Sequence, residues 1–559
     1  MDQNQDIAGL LRGRPVFAVF EGGGALGIAH VGALRALEEG QADIQGVAGT
    51  SAGAIMAALT TAGFRASDLY DDDEDRTLFG SAGFPFNKVT DVLGSSSWVA
   101  LRCVRWLGAA LQLAQRWWWL LFGLLLAVVA VGLCSGASPQ ALLVCGLACV
   151  GVLGLGAVGV ACVGIVSLSQ LRKNLDLALR WKCAASGHPL PPPGQPITFA
   201  QAKAMEWKPL KIVASNISER RIEVFCESLT PQVGIADAVA ASICIPFLFR
   251  AVYLEGNGCT YVDGGMLSNL PAWVFEEERA LNPEAAVVAV ELDESRGSSA
   301  LRNRLSGLAF LGALIQTAVF GAGALSKRVR GLMIPLQLQP IKRDGQPLQL
   351  LEFDVARDDA RAIIADARKY ALEKLVDQLV NIPWELRNFT EDVRDLVQRV
   401  FADETLGALF RSGEHQPCVR VAIATKPRNH LLSWKLHDGA GFEDGHPDRG
   451  VYLPDPGSLV AEAVRTGGIE LATKQRLDEL CNAGGLAGQN LQANAWSELR
   501  WSLAIPPKGS EPCSVLVIDS NAEMAVEPEL LLKRLDSSLK SIQHGFTALQ
   551  PRIRDMEPR

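Results

Sequence analysis

The chain has 559 residues, 48% of them hydrophobic, and carries a formal net charge of −8. That length exceeds one ordinary domain and predicts two or three, and an acidic balance with no basic stripe argues against nucleic acid as a partner. Twelve cysteines are scattered with no C-x-x-C pair and no zinc spacing. That pattern predicts packed, reduced thiols in a cytoplasmic setting, with no metal and no cofactor.

The first residues, Met1–Asp6, are polar and acidic, so no signal peptide is expected. Val16–Phe20 reads as a buried strand that runs into Glu21-Gly22-Gly23-Gly24-Ala25-Leu26-Gly27. The helix after it, about Ala25 to Glu38, has Leu26, Ala29, Ala33, Leu34 and Leu37 on one side. A glycine loop at a helix start exposes backbone N–H groups, as an anion or oxyanion site requires. Next, the apolar run Ile44–Ala48 leads into Gly49-Thr50-Ser51-Ala52-Gly53, and the helix-forming run Ala54–Leu59 follows. Strand, sharp turn and helix are the context in which G-x-S-x-G places a nucleophilic serine at the tip of a strained turn. The small neighbours Gly49, Ala52 and Gly53 give that turn room. The acid run Asp71–Asp75 lacks a turn glycine at calcium-loop spacing and reads as a solvated loop.

From Trp117 to Leu171 there is no charged residue. Trp117–Cys134, roughly 27 Å long as a helix, and Ala141–Leu168 are expected to form a transmembrane hairpin. Ser135–Gln140 would be its turn and Trp117–Trp119 its interfacial belt. Arg102, Arg105 and Arg116 lie before it, and Arg172, Lys173, Arg180 and Lys182 lie after it. The turn has no Lys or Arg, so both ends, with the catalytic and C-terminal domains, are expected in the cytoplasm of a two-span membrane protein.

Pro189–Gly194 reads as a stiff linker. Leu210–Ser215 and Ile222–Cys226 follow as strands. Thr260-Tyr261-Val262-Asp263-Gly264-Gly265 then puts a carboxylate at the end of a short strand, before two glycines. Ala286–Leu292 and Gly331–Leu338 read as strands and Asp358–Leu379 as a closing helix. Strands alternating with helices predict an α/β fold with a mostly parallel sheet. Pro383 marks a boundary. Beyond it lie a helix (Glu391–Leu409), a strand (Val419–Ala424), a Gly/His/Asp-rich loop (Asp438–Gly450), a helix (Ser458–Gly467), strands at Glu498–Ile505 and Ser514–Asp519, and a last helix (Pro528–Leu549). That last helix could pack on its domain or join two copies into a homo-oligomer.

A serine at a turn, amides in a glycine loop and a carboxylate at a strand end compose an acyl-transfer site. These residues resemble the patatin-like phospholipase family: a glycine-rich oxyanion loop, a G-x-S-x-G serine and a D-G-G acid stand in the family's order. Ala238–Ser242 with Ile245-Pro246-Phe247, and Ser268-Asn269-Leu270-Pro271, also look like the family. The resemblance covers about residues 12–380 without the hairpin, as segments 12–100 and 185–380. It implies a three-layer α/β sandwich and a serine lipid acyl hydrolase of the phospholipase A or lysophospholipase type.

In that reading Ser51 is the nucleophile and Asp263 the base. Gly22, Gly23 and Gly24 form the oxyanion hole, with Gly27, Gly49, Gly53, Gly264 and Gly265 supporting the motifs. The substrate would be a membrane phospholipid or lysophospholipid. Many family members carry Arg or Lys at the position of Leu26, which leaves the oxyanion here to the amides. Residues 390–559 look like a GAF sensory domain, which implies a small-molecule effector and gating of hydrolysis. Several other readings stand beside this one. Gly22, Gly24 and Gly27 also match the dinucleotide fingerprint, but Asp43 precedes the second strand rather than ending it. His30 could serve as a base but is expected to pack, and His415, His430 and His437 read as surface histidines. The same acyl-enzyme could be an acyltransferase, or the fold could be a non-catalytic scaffold for a membrane-held sensor.

Overall fold

The computed structural model describes residues 9–71, 76–77, 166–246, 248–282, 284–293, 333–350, 352, 355–411, 417–426, 433–442, 451–494, 496–509 and 512–556. They divide into two compact units, Met1–Glu373 and Lys374–Arg559.

The first unit is built on one mixed sheet. Its strands are β1 (Pro15–Phe20), β2 (Asp43–Thr50), β3 (Leu210–Asn216), β4 (Arg221–Phe225), β5 (Val252–Leu254), β6 (Cys259–Val262), β7 (Ala286–Leu292) and β8 (Met333–Leu338). The order is β8-β7-β1-β2-β3-β6-β5, with β4 hairpinned onto β3. The five strands from β8 to β3 are parallel. β4, β6 and β5 add antiparallel pairings at the far side. Val16, Ala18, Val19 and Phe20 of β1 and Ala286–Val290 of β7 are fully buried, as unbroken apolar runs are when both faces of a sheet are covered.

Side-chain alternation separates the two faces. Phe17, Val19, Val213, Val287 and Ala289 pack against Leu270, Ala272, Val274 and Phe275, with the Phe17 and Phe275 rings stacked at 4.5 Å. The opposite face takes helices α1 (Ala29–Glu39), α2 (Ala52–Thr61) and α4 (Ile235–Ser242), with α3 (Ser169–Ala185) against α4. A further helix, α5 (Arg357–Val376), lies so close on α1 that a Cβ at Gly32 would stand 2.4 Å from the Ile364 carbonyl.

Several expectations change in detail. The helix expected from Ala25 is a 3-10 turn (Gly24–Ile28) and then α1, and the Ala25 N–H, which a helix start leaves without an internal partner, donates to the Leu350 carbonyl at 2.8 Å. The boundary expected at Pro383 is not a helix end, and the two units divide earlier, between Glu373 and Lys374. A π-turn (Asp377–Asn381) runs straight into α6 (Ile382–Ala402), with the proline in its first turn, where the missing N–H would have had no partner. The stiff segment expected at Pro189–Gly194 is held to α3, where Arg180 donates to the carbonyls of Pro191 and Pro192 at 2.9 and 3.0 Å.

The expected two-span membrane topology is corrected. Among the described residues no helix is long and apolar enough to cross a membrane. The hairpin expected at 117–134 and 141–168 lies outside the described residues up to 165. Its described end does not continue a span: Val166 and Leu168 are buried in the first unit, with Val166 bridged to Phe249. Three of the charges that suggested the orientation are engaged in the fold. Arg172 pairs with Asp237 at 2.7 Å, Arg180 with Asp176 at 2.7 Å and Lys182 with Asp68 at 2.6 Å.

The second unit is an antiparallel sheet of six strands: β9 (Val419–Thr425), β10 (Ser433–Ala440), β11 (Tyr452–Pro454), β12 (Glu470–Thr473), β13 (Trp501–Ile505) and β14 (Ser514–Ser520), ordered β11-β10-β9-β14-β13-β12. Val419, Val421 and Ile423 of β9 face Val393 of α6 and Leu531, Leu539 and Phe546 of α10 (Pro528–Met556). Ala422 and Ala424 face Leu459, Val460 and Ala463 of α7 (Leu459–Thr466). Ser458 caps α7 through the Ala461 N–H, and Gly467 ends it at φ +69°, as the glycine-bounded sequence predicts. α8 (Lys474–Ala483) and α9 (Gly485–Asn494) follow. His437 is no surface histidine: it is half-buried in β10 and hydrogen-bonded to the Thr425 hydroxyl at 2.8 Å. His415 and His430 lie outside the described residues.

Candidate active site

β2 ends at Thr50 and α2 starts at Ala52, which leaves one residue for the reversal. That residue is Ser51, at φ +52° and ψ −122°. A side chain at positive φ costs about 1–3 kcal/mol and persists only where the surroundings hold it. Here the Ser51 N–H donates to Ser242 Oγ at 2.9 Å, and the Ala54 N–H donates to the Ser51 carbonyl at 2.9 Å. The flanking glycines are required by close approach. A Cβ at Gly49 would stand 2.2 Å from the Gly53 carbonyl oxygen, and one at Gly53 only 2.1 Å from that of Phe20.

Asp263 follows directly on β6 and is fully buried. Its N–H donates to the Cys244 carbonyl at 2.8 Å, and its carbonyl accepts the Ser215 hydroxyl at 2.9 Å. Oδ1 accepts the Gly265 N–H at 2.7 Å, while Oδ2 has no full hydrogen-bond partner among the described residues. The Ser51 hydroxyl interacts with this carboxyl. Burial pushes the Asp263 pKa up to about 7, against the smaller opposing pulls of the Gly265 N–H and the Ser51 hydroxyl. Gly264 brings the acid close: its own Cβ would lie 2.2 Å from the Val213 carbonyl oxygen.

The three loop glycines are not equivalent. The Gly22 N–H is spent on the Asn269 carbonyl at 3.1 Å, so Gly22 frames the site rather than donating into it. Among the described residues the amides of Gly23 and Gly24 make no bond, while Ala25 donates to Leu350. The two free amides follow Gly22, whose Cα hydrogen points toward Ser51: a Cβ there would meet Ser51 Cβ at 2.9 Å. Gly27 lets the same loop rest on α2, with Ala52 Cβ 3.0 Å from where its own would be. Leu26 is buried at 2% exposure and brings no charge.

His30 is brought near but turned to another task. It is fully buried, its Nε2 bonds the Glu21 carbonyl at 2.9 Å, and its ring meets Phe20 edge-on at 5.2 Å. Burial lowers its pKa to about 4, so it stays neutral.

Sequence reasoning left Glu21, Ser215, Ser242 and Asn269 without roles. Glu21 accepts the Leu292 N–H at 2.7 Å and the Asn269 amide at 3.1 Å. Asn269 also donates to the Gly22 carbonyl at 3.0 Å, and Ser242 donates to the Val213 carbonyl at 2.6 Å. For Glu21, Ser242 and Asn269 the sequence signal was their place in the blocks that resemble the family, while Ser215 stood at the end of an expected strand. A polar residue buried to pin a backbone has no periodicity of its own.

The patatin-like phospholipase family model matches residues 18–276. Among curated proteins, YqhO of Bacillus subtilis is 25% identical over 307 residues, which cover 54% of this chain and 78% of YqhO. Among solved structures, VipD from Legionella pneumophila shares 15% identity over 71% of this chain and 78% of VipD, with a TM-score of 0.32. The GAF domain of a two-component sensor histidine kinase from Bacillus halodurans shares 15% identity over 29% of this chain and 94% of that domain, with a TM-score of 0.19.

Proposed function

Residues 18–276 being a patatin-like phospholipase domain, we propose that this chain hydrolyses lipid acyl esters with Ser51 as nucleophile and Asp263 as the only general base. The observation that carries the proposal is the buried Asp263 carboxyl beside the strained Ser51, with its pKa raised to about 7. A carboxylate of ordinary acidity is a poor base for an alcohol, whereas one near neutrality is matched to the task.

Asp263 accepts the hydroxyl proton as Ser51 Oγ bonds to the ester carbonyl carbon, and the carbonyl electron pair moves onto oxygen. The Gly23 and Gly24 amides face that oxyanion and stabilise it. When the C–O bond to the leaving alcohol breaks, Asp263 returns the proton to the alkoxide. A water then repeats the cycle: Asp263 takes its proton, the acyl–Ser51 ester is attacked, and a fatty acid leaves with Ser51 re-protonated. His30 takes no part, because its Nε2 is engaged with the Glu21 carbonyl and burial, which lowers its pKa to about 4, makes the ring a weak base. The second unit, a six-stranded antiparallel sheet with helices on both faces, is read as a GAF-like sensory module that gates this hydrolysis in response to a small effector.

The test is direct. A fluorophosphonate should label the wild type at Ser51 and fail on Ser51→Ala, and phospholipid vesicles should release fatty acid only with the wild type. Labelling that survives Ser51→Ala would refute the assignment.

A further inference from the structure

The glycine loop is held at its far end by a segment that the mechanism does not use. The first internal bond of the 3-10 turn runs from the Leu26 N–H to the Gly23 carbonyl at 3.0 Å. The amides of Gly23, Gly24 and Ala25 therefore precede any partner within the turn, as the first amides of a helix do. Among the described residues only the third is taken, by the Leu350 carbonyl at 2.8 Å. That carbonyl also lies against Gly24, where a Cβ would stand 2.4 Å from it, and Gly24 sits at φ +53°. A side chain there would push the two segments apart, so glycine serves the approach as well as the angle. The place of Leu350 thus decides which amides stay free and where they point.

Leu350 ends a strap, residues 339–350, that leads from β8 toward α5. Three backbone bonds close its turn: Lys342 N–H to the Gln346 carbonyl at 2.9 Å, Gly345 N–H to the Lys342 carbonyl at 2.8 Å, and Leu348 N–H to the Pro340 carbonyl at 2.9 Å. Leu348 is buried beneath it. The anchor is Glu352. One of its carboxylate oxygens takes the Lys342 ammonium at 3.2 Å, and the other accepts the Gln349 N–H at 3.3 Å, one residue before Leu350. The Lys342 and Glu352 side chains are 19% and 23% exposed, so solvent and salt compete with this pair less than with a surface pair. The turn is also tied to α5, since the Arg343 N–H donates to Asp359 at 2.9 Å. Helix α5 in turn packs on α1, the helix that the loop feeds, with Arg368 on Glu39 at 2.7 Å.

We propose that Glu352 is a positioning residue for acyl transfer: it fixes Leu350 against the loop, and through Leu350 the aim of the Gly23 and Gly24 amides. The inference rests on the reading of this site as a serine acyl hydrolase. The Glu352 carboxylate is spent within the strap, so it acts through the loop and not on the substrate. Oxyanion donors work on charge that exists only in the transition state. Loosening the strap therefore lowers kcat and leaves KM in place.

The test uses the full chain with a soluble p-nitrophenyl ester, and with a trifluoromethyl ketone of the same acyl chain as a second probe. Ser51 Oγ adds to the ketone carbon, the hydroxyl proton passes to Asp263, and the new oxyanion lies on the loop amides. Glu352→Ala should lower kcat about tenfold, less than the roughly 10²–10³ lost with a whole donor, because its donors are misaligned rather than removed. KM should stay within about twofold, and the ketone should bind more weakly by the same factor as kcat falls. Glu352→Gln keeps an oxygen for the Gln349 N–H and should return kcat to within about threefold of wild type. Lys342→Met releases only the turn and should lower kcat a fewfold at unchanged KM; it carries the same test should Glu352→Ala fail to fold. Wild-type kcat in these variants, even with a lower melting temperature, would overturn the proposal. So would a loss that falls on KM, or a Glu352→Gln no better than Glu352→Ala. A wild type that neither cleaves the ester nor binds the ketone would instead refute the hydrolase reading, and this inference with it.

Discussion

Ser242 Oγ accepts the backbone N–H of Ser51 at 2.9 Å and so ties the nucleophile's strained turn to the end of α4. The same hydroxyl donates to the Val213 carbonyl at 2.6 Å, and the Ser242 carbonyl accepts the Gly264 N–H at 3.2 Å. One buried serine thus fixes the nucleophile turn, β3 and the loop that carries the acid.

Ser242→Ala strips partners from a buried N–H and a buried carbonyl, each worth about 1–3 kcal/mol when left unpaired. The variant is expected to melt several degrees lower and to react with a fluorophosphonate at least tenfold more slowly, even at temperatures where it is fully folded. Normal labelling at reduced stability would limit Ser242 to a structural role.

With Asp263 as base, hydrolysis should rise with pH and level off above about 7, the value to which burial pushes this carboxyl. Stability should move the other way. The folded protein holds the Asp263 proton up to about pH 7 while the unfolded chain releases it near 4, so folding loses stability as pH rises between them. Asp263→Asn removes that loss, and its melting temperature should gain on wild type from pH 4 to pH 8 while its activity falls by several powers of ten. A wild-type rate profile with no inflection near neutrality would count against Asp263.

His30 supplies the opposite slope. Its folded pKa is lowered to about 4 by burial, so its contribution to stability is complete above its ordinary value of about 6.5 and is lost as pH falls toward 4. His30→Gln can still donate to the Glu21 carbonyl and should flatten that acid-side loss. It should also keep fluorophosphonate labelling within a fewfold of wild type. Abolished labelling would return the histidine to the list of bases.

What could be read in advance follows from how each feature is encoded. Val16–Phe20, Ala286–Leu292 and the Ser51 turn are local: an unbroken apolar run or a small-residue pentapeptide carries its own structure. The bond of Gly22 to Asn269 and the burial of the Asp263 carboxyl beside Ser51 depend on residues more than two hundred positions apart, and no window of sequence contains them. The charges beside the long uncharged stretch misled for a related reason. Arg172 and Lys182 look like membrane flanks only until Asp237 and Asp68 are folded against them.

The last prediction concerns the clamp on the glycine loop. Asn269 donates through one amide nitrogen to Glu21 Oε1 at 3.1 Å and to the Gly22 carbonyl at 3.0 Å, and its own carbonyl accepts the Gly22 N–H. Those bonds fix the peptide that precedes the two unspent amides, so the oxyanion hole is held from across the sheet. Asn269→Asp keeps the shape but sets a carboxylate against the Glu21 carboxylate and the Gly22 carbonyl, with no donor between them. The loop should shift, and loss of aligned oxyanion donors costs on the order of 10²–10³ in rate. The loss should fall on kcat more than on KM, because the amides act on charge that develops only in the transition state. Glu21→Gln restores a donor on the other side, so the double variant should recover part of what Asn269→Asp loses and melt closer to wild type. If Asn269→Asp labels and turns over like wild type, or Glu21→Gln deepens the defect instead of relieving it, the clamp does not set the oxyanion geometry.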